Sequence, residues 1–250
     1  MIVNRDPLKR GPYTVFGEVA GAYERARPGY PDEAVRWLVG EAPCDVVDLG
    51  AGTGKLTRVL VAHGHRVTAI EPLPAMLEHL SENAPGAFGM LGSAEVLPLP
   101  DAHADAVTCA QSFHWFDHPT ALVEIARVLR PEGVLALVWN SRDDADPWMT
   151  RLSAIIGNEV VQDDDVSPVL ERSGLFEPVE QAQFAHVQTL DGDGLRDLVL
   201  SRSYCAKLLQ EDRDPILAAV TALYDETAGP DGVRLAYRTE CFRARKRGAT

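Results

Sequence analysis

From residue 44 onward, apolar positions along this chain alternate between two periods. Short β-branched or apolar runs predict five strands: DVVDL at 45–49, HRVTAIE at 65–71, AFGMLG at 87–92, DAVTCAQS at 105–112 and VLALVWN at 134–140. Between them, apolar residues recur at helical spacing. GKLTRVLVAHG (54–64), PAMLEHLSENA (74–84) and PTALVEIARVLR (119–130) are predicted helices. Strand–helix alternation means parallel strands joined by right-handed crossovers, hence a doubly wound sheet with helices on both faces. VVDL and VLALVW are apolar at successive positions, as strands buried on both sides require.

The flanks follow other patterns. PDEAVRWLVGEA at 31–42 is an amphipathic helix with Pro31 and Asp32 at its start. Residues 141–180 are rich in Asp, Pro and Ser and predict an inserted helix and loop rather than another strand–helix unit. VEQAQFAHVQTL (179–190) and VRLAYRTECFRARK (233–246) predict two more strands, giving seven in a mostly parallel α/β sheet. DGLRDLVLSRSYCAKLL (193–209) and RDPILAAVTALYDETA (213–228) predict helices. Neither an internal repeat nor a low-complexity linker divides the chain, which reads as one domain, 1–250.

Composition narrows the partners. The 250 residues are 46% apolar and 24% charged, with a formal net charge of −13, ordinary for a globular domain but unsuited to a nucleic-acid or anionic-membrane surface. The basic cluster Arg243, Arg245, Lys246 and Arg247 reads as a solvated tail end. Four cysteines without CxxC spacing, an N-terminus without an apolar signal core and no run of about 20 apolar residues predict a cytoplasmic protein.

The candidate chemistry centres on DVVDLGAGTGKLT at 45–57. A glycine-rich turn between the first strand and first helix lies where doubly wound sheets hold ligands. It is not a triphosphate loop: Leu56 follows Gly54 and Lys55 where a Ser or Thr should bind Mg²⁺, and Leu49 replaces the opening glycine. It is also not the dinucleotide spacing, because the third glycine comes one position early. Asp48 would be a poor neighbour for a pyrophosphate but a good one for a cation. Glu71, roughly 20 residues on, is placed to accept from ribose hydroxyls. A nucleoside with a cationic arm fits both, and S-adenosyl-L-methionine has that form.

VVDLGAGTGKLT strongly resembles the first motif of class I S-adenosylmethionine-dependent methyltransferases, AIEPLPAML the second, GSAEVLPLPDAHADAV the segment over the adenine, and LRPEGVLAL the turn before the fifth strand. FGEVAGAYERARPGYPDEAVRW (16–37) and QSFHWFD (111–117) resemble the type-11 subgroup related to trans-aconitate methyltransferase. The resemblance covers most of residues 16–140 and, more loosely, 180–243. It implies a Rossmann-like fold with an N-terminal helical cap (1–43), a cofactor-binding core (44–140), and an insertion, lid helices and final strands (141–250). It implies S-adenosyl-L-methionine as cofactor and S-adenosyl-L-homocysteine as product. The implied cofactor residues are Asp48, Gly50, Ala51, Gly52, Thr53 and Gly54 in the first motif. Glu71, Pro72 and Met76 follow in the second motif and Ser93, Ala94 and Glu95 over the adenine. Gln111 and Ser112 come past the fourth strand, and Tyr23 and Arg27 from the cap.

Methyl transfer demands a nucleophile placed behind the methyl group, and a general base only when the nucleophile carries a proton of high pKa. His114 is the candidate base. His114, Trp115 and Phe116, with Tyr204 of SRSY at 201–204, are candidate acceptor contacts. No metal site is expected. His114 and His118 bracket Asp117, but Pro119 breaks the helix such a pair would need, and His63 and His65 read as exposed. The expected acceptor is a small molecule. Two readings compete: a protein of this fold that binds the cofactor without transfer, and an NAD-dependent oxidoreductase, whose Tyr-xxx-Lys is absent. A nucleic-acid methyltransferase is disfavoured by the acidic charge and by QSFH at 111–114, where an Asn/Asp-Pro-Pro-Tyr type motif would stand.

Overall fold

The computed structural model describes residues 20–157, 166–202, 205 and 208–248. Seven strands form one sheet: β1 (Asp45–Leu49), β2 (Arg66–Glu71), β3 (Phe88–Leu91), β4 (Ala104–Ala110), β5 (Leu129–Arg142), β6 (Glu180–Leu190) and β7 (Val233–Arg245). Their order is β3-β2-β1-β4-β5-β7-β6. β1 to β5 pair in parallel, and β7 runs antiparallel to both β5 and β6. This is the predicted Rossmann-like, mostly parallel architecture. The order reverses between β1 and β4, which opens a crevice at their carboxyl ends.

Nine helices stand among the described residues, beginning with α1 (Ala20–Ala26), α2 (Asp32–Val39), α3 (Thr57–Ala62), α4 (Pro74–Asn83) and α5 (His118–Val128). They continue with α6 (Pro147–Ile156), α7 (Ser167–Ser173), α8 (Gly192–Leu200) and α9 (Gln210–Thr227). The period-2 alternation of β1 explains the layering. Val47 and Leu49 pack on one face with Leu122 and Ile125 of α5, whereas Val46 packs on the other with Val35 of α2 and Leu60 of α3. A third apolar cluster joins Leu152 of α6, Leu198 of α8 and Val220 of α9 to Leu235 and Tyr237 of β7, and takes in Ala26 of α1. Through it the C-terminal helices pack against β7 and the end of α1. None of the described helices is long and apolar enough to cross a membrane.

Several boundaries differ from the sequence reading. The first-motif helix begins at Thr57, because residues 50–56 are spent in turns around three left-handed glycines. The helix expected over 193–209 gives α8, which stops at Leu200, with Ser201 as its C-cap. β5 begins at Leu129, five residues early, because Leu129 already pairs with Ala104. The register then shifts at an irregularity over residues 130–133 within the strand.

Two expectations of exposure fail. His65 is buried: its Nδ1 lies 3.3 Å from both the Cys44 amide nitrogen and thiol sulfur. The basic C-terminal cluster is not a free tail. Arg243 lies over the Trp37 ring at 4.3 Å and donates to the Trp37 carbonyl, Lys246 Nζ donates to the Leu129 carbonyl and Arg247 Nε to the Phe176 carbonyl. The reason is that β7 itself runs to Arg245, so Arg243 and Arg245 belong to a paired strand whose side chains reach neighbouring elements rather than water alone.

These contacts are unequal. Arg243→Ala removes a cation–π contact and a bond to backbone that tie α2 to β7, so unfolding in urea is expected to weaken by about 1–3 kcal/mol. Arg245 is exposed and, among the described residues, its side chain reaches only the Glu132 carbonyl, at 3.4 Å. Arg245→Ala should stay within about 0.5 kcal/mol of the parent chain in the same titration.

Candidate active site

The site is built outward from a buried carboxylate. Asp48, in the middle of the sheet, is fully buried; Thr57 Oγ1 donates to its Oδ2 at 2.6 Å and Thr108 Oγ1 to its Oδ1 at 2.8 Å. Burial pushes its pKa up to about 6, and the two hydroxyl bonds pull it back. The carboxylate thus clamps β1, β4 and α3 directly beneath the glycine turn. Contrary to the expectation that it would face a cationic ligand, it is not among the residues lining the cavity but lies within the sheet, fully buried, behind the turn.

The turn needs its glycines for two reasons. Gly50, Gly52 and Gly54 hold φ of 63°, 59° and 87°, values that disfavour residues bearing a Cβ. At Gly50 a Cβ would also stand 2.6 Å from Ser112 Cβ. Ser112 crosses there because its Oγ donates to the Leu49 carbonyl at 2.7 Å. At Gly52 a Cβ would meet nothing within 4 Å; the turn presents bare backbone to open space. Glu71, at the end of β2, faces it. Its carboxylate is buried and accepts from Gly52 N at 2.9 Å and Leu73 N at 3.0 Å. Burial raises its pKa to about 7 against those two bonds. Each oxygen keeps acceptor capacity for a further donor.

A cavity opens here, with an empty volume of about 770 Å³ counting its mouth. Of the expected residues, Tyr23, Gly50, Gly52, Glu71, Pro72 and Met76 line it. So do Ser93, Ala94 and Glu95 from the segment after β3, and Gln111, Ser112, Trp115 and Phe116 after β4. Ala51, Thr53 and Gly54 do not. That stretch of the turn packs inward: a Cβ at Gly54 would lie 3.2 Å from Leu80 Cγ of α4, and the Thr53 carbonyl accepts from Asn83. His114 is also outside the wall. It sits in the single 3-10 turn Phe113–Trp115 with its ring 4.7 Å from that of Trp115. Arg27 lines a neighbouring cavity instead, where its Nε donates to Ser201 Oγ at 3.0 Å. Tyr204 lies outside the described residues.

Sequence reasoning missed Ile70, Leu73, Gly92 and Ala110, which also line the cavity. Ile70 and Ala110 were legible as strand ends at the crevice, but Leu73 and Gly92 carried no signal beyond their place beside a motif. The fit to a nucleoside is good. A carboxylate with spare acceptor capacity stands beside exposed glycine backbone, with apolar Ile70, Leu73, Met76 and Ala94 around it. Among the described residues no three His, Cys, Asp or Glu side chains are grouped to hold a metal.

Comparison with known proteins agrees with this geometry. Residues 47–137 match the family model for a methyltransferase domain. Over 235 residues the chain is 45% identical to an uncharacterized methyltransferase of Mycobacterium tuberculosis, spanning 92% of this chain and 94% of that one. An uncharacterized methyltransferase-like protein of Schizosaccharomyces pombe is 35% identical over 241 residues, 91% and 93% of the two chains. Among solved structures, a candidate type II methyltransferase of Anaeromyxobacter dehalogenans superposes with a TM-score of 0.65 at 25% identity, covering 88% of this chain and 97% of that one.

The clamp has a measurable pH signature. Because the folded Asp48 holds its proton more tightly than the unfolded chain does, its contribution favours folding most below about pH 4. It declines as pH rises and levels off above about 6. Asp48→Asn keeps hydrogen-bonding capacity toward both threonines but does not titrate. Between pH 4 and 7, urea titrations should show the variant gaining roughly 1–3 kcal/mol on the parent chain; Glu71, shifted in the same sense mainly by burial, is common to both and loses in the variant only the smaller push from the Asp48 charge. Gly50→Ala, which must displace Ser112, is expected to lower the unfolding free energy by about 1–3 kcal/mol at any pH.

Proposed function

Because this chain belongs to the methyltransferase-domain family, we propose that it transfers a methyl group to a small-molecule acceptor. Its cofactor is S-adenosyl-L-methionine. The chemistry that cofactor supplies when bound is a methyl group activated by the adjoining sulfonium, with S-adenosyl-L-homocysteine as the product. One observation carries the reading: buried Glu71 is bonded to the backbone of Gly52 and Leu73 and still has capacity to accept from ribose hydroxyls.

In this reading Glu71 fixes the ribose, and Gly50 and Gly52 let the backbone approach the amino-acid arm. Ile70, Leu73, Met76 and Ala94 surround the base, with Pro72 setting the strand end and Ser93 and Glu95 bordering it. Ala51, Thr53 and Gly54 hold the turn's shape from behind, as Asp48 does from below. Gln111, Ser112, Trp115 and Phe116 form the inner wall, and Tyr23 of α1 covers the mouth. No histidine of the described residues lines this cavity or its neighbour, so the proposal assigns catalysis to proximity and water exclusion and gives His114 no proton. Positioning of that kind can supply roughly 7–11 kcal/mol at best. The net charge of −13 supports a small acceptor over a nucleic acid. Four free thiols, at Cys44, Cys109, Cys205 and Cys241, favour a reducing compartment and hence the cytoplasm.

Isothermal calorimetry on the full chain tests this directly. S-adenosyl-L-methionine and S-adenosyl-L-homocysteine should bind and NAD should not. Glu71→Ala, checked for its fold by circular dichroism, should weaken both by at least about tenfold, the scale of a lost bond to a charged group. Binding of NAD alone would replace the proposal with an oxidoreductase reading.

A further inference from the structure

Beside the nucleoside cavity lies a second one, with an empty volume of about 400 Å³; Tyr23 and Gln111 line both. Four cationic side chains stand in its wall: Arg27 just after α1, Lys55 of the glycine turn, Arg142 at the end of β5 and Arg202 after α8. Among the described residues no carboxylate does. This is the reverse of the molecule as a whole, which carries 37 acidic against 24 basic residues. Three of the four are buried, with Lys55 8%, Arg142 9% and Arg202 2% exposed.

Buried cations are costly unless an anion answers them. For Lys55 and Arg142 little among the described residues does so. Lys55 Nζ donates to the Glu24 carbonyl at 2.7 Å and lies 3.8 Å from Glu24 Oε1, but that oxygen is already bonded by Arg58 at 2.6 Å. Burial pulls the Lys55 pKa down to about 8. Arg142 gives Nη2 to the Gly157 carbonyl at 2.8 Å, while its Nη1 is buried with no hydrogen-bond partner among the described residues. Tyr30, also in the wall, has its phenol pKa raised by burial and so offers a proton rather than a charge. Four elements distant in sequence deliver these donors to one small space.

We infer that this second cavity is the acceptor's seat, and that the acceptor is a small molecule with at least two negative charges on carboxylate or phosphate oxygens, held by Arg27, Lys55, Arg142 and Arg202. The word acceptor rests on the methyl-transfer reading above; the anion site does not. Tyr23 and Gln111 border both cavities, so a molecule anchored by its anionic groups presents its remaining atoms at the junction with the nucleoside cavity. Gln111 is fixed there, its backbone in the left-handed region at φ 55° and its Nε2 donating to the Asn140 carbonyl at 3.1 Å.

The test is calorimetry on the full chain, with and without saturating S-adenosyl-L-homocysteine. The probes are succinate, tricarballylate and inorganic phosphate, with uncharged succinamide as control. At least one anion should bind with millimolar or better affinity and succinamide should not. Binding of the carboxylates but not phosphate assigns a carboxylic acid, and the converse a phosphorylated acceptor. Arg142→Gln and, separately, Lys55→Gln should each weaken anion binding by about tenfold or more. Arg142→Lys should recover part of it, and Arg142→Gln should leave S-adenosyl-L-homocysteine affinity within about twofold. Should one variant fail to fold, the other decides. The inference is overturned if no anion binds, if succinamide binds as well as succinate, or if anion affinity survives both charge removals. Anion binding without S-adenosyl-L-homocysteine binding would sink the methyl-transfer reading and leave the anion site standing.

Discussion

The arrangement depends on one buried carboxylate held between two hydroxyls. Asp48 reaches Thr108 on the neighbouring strand and Thr57 on the following helix. It therefore fixes the angle at which the chain leaves β1 and turns. Gly50 then passes against Ser112, Gly52 presents its amide to Glu71, and the crevice between β1 and β4 acquires a floor of backbone rather than side chains. The same carboxylate in an apolar setting would be a liability. Here the hydroxyl bonds offset part of its desolvation, and its fixed geometry governs every residue that follows.

A division of labour between the two halves of the chain emerges. The parallel half supplies rigid strand ends and a turn, which suits recognition of a constant ligand. The rest of the chain supplies Arg142 from the far end of β5, Leu198 from α8, Arg202 from just after it and Tyr237 from the antiparallel strand to the adjoining cavity. α1 bridges the two. Arg25 pairs with Asp197 of α8 at 2.7 Å, Arg27 bonds Ser201, and Tyr23 borders both spaces. In so acidic a protein, placing four cations around one cavity gives that cavity the opposite sign of charge to the chain as a whole.

The parallel core was legible because its signals are local. Period-2 apolar runs, turn glycines and a carboxylate at a strand end all lie within a few residues of what they specify. The five parallel strands, the presence of β6 and β7 and the residues around Glu71 followed from that, whereas the antiparallel direction of β7 and its place between β5 and β6 did not. What was illegible depends on distance along the chain. Nothing near Asp48 announces that Thr108, sixty residues away, takes one of its oxygens. Lys55 read only as the remnant of a failed phosphate loop, and Arg202 sat unremarked inside SRSY; their meaning appears when Arg27 and Arg142 converge on them. The basic C-terminal residues misled for the opposite reason, since their composition resembles a tail while their alternation belongs to β7.

The position of β7 bears on how the protein is made. This strand lies between β5 and β6 and pairs with both along nearly its whole length, yet it is the last described strand in the chain. A polypeptide emerging from the ribosome exposes β6 and the flank of β5 long before the strand that separates them exists. Until then both edges are unpaired templates for mispairing with each other or with another chain. The parallel half can assemble as it is synthesised, but the sheet cannot close until residue 245 has cleared the exit tunnel. Stalled or prematurely terminated translation would therefore leave an open seam between β5 and β6, one strand in from the edge of the sheet, rather than only a shortened end.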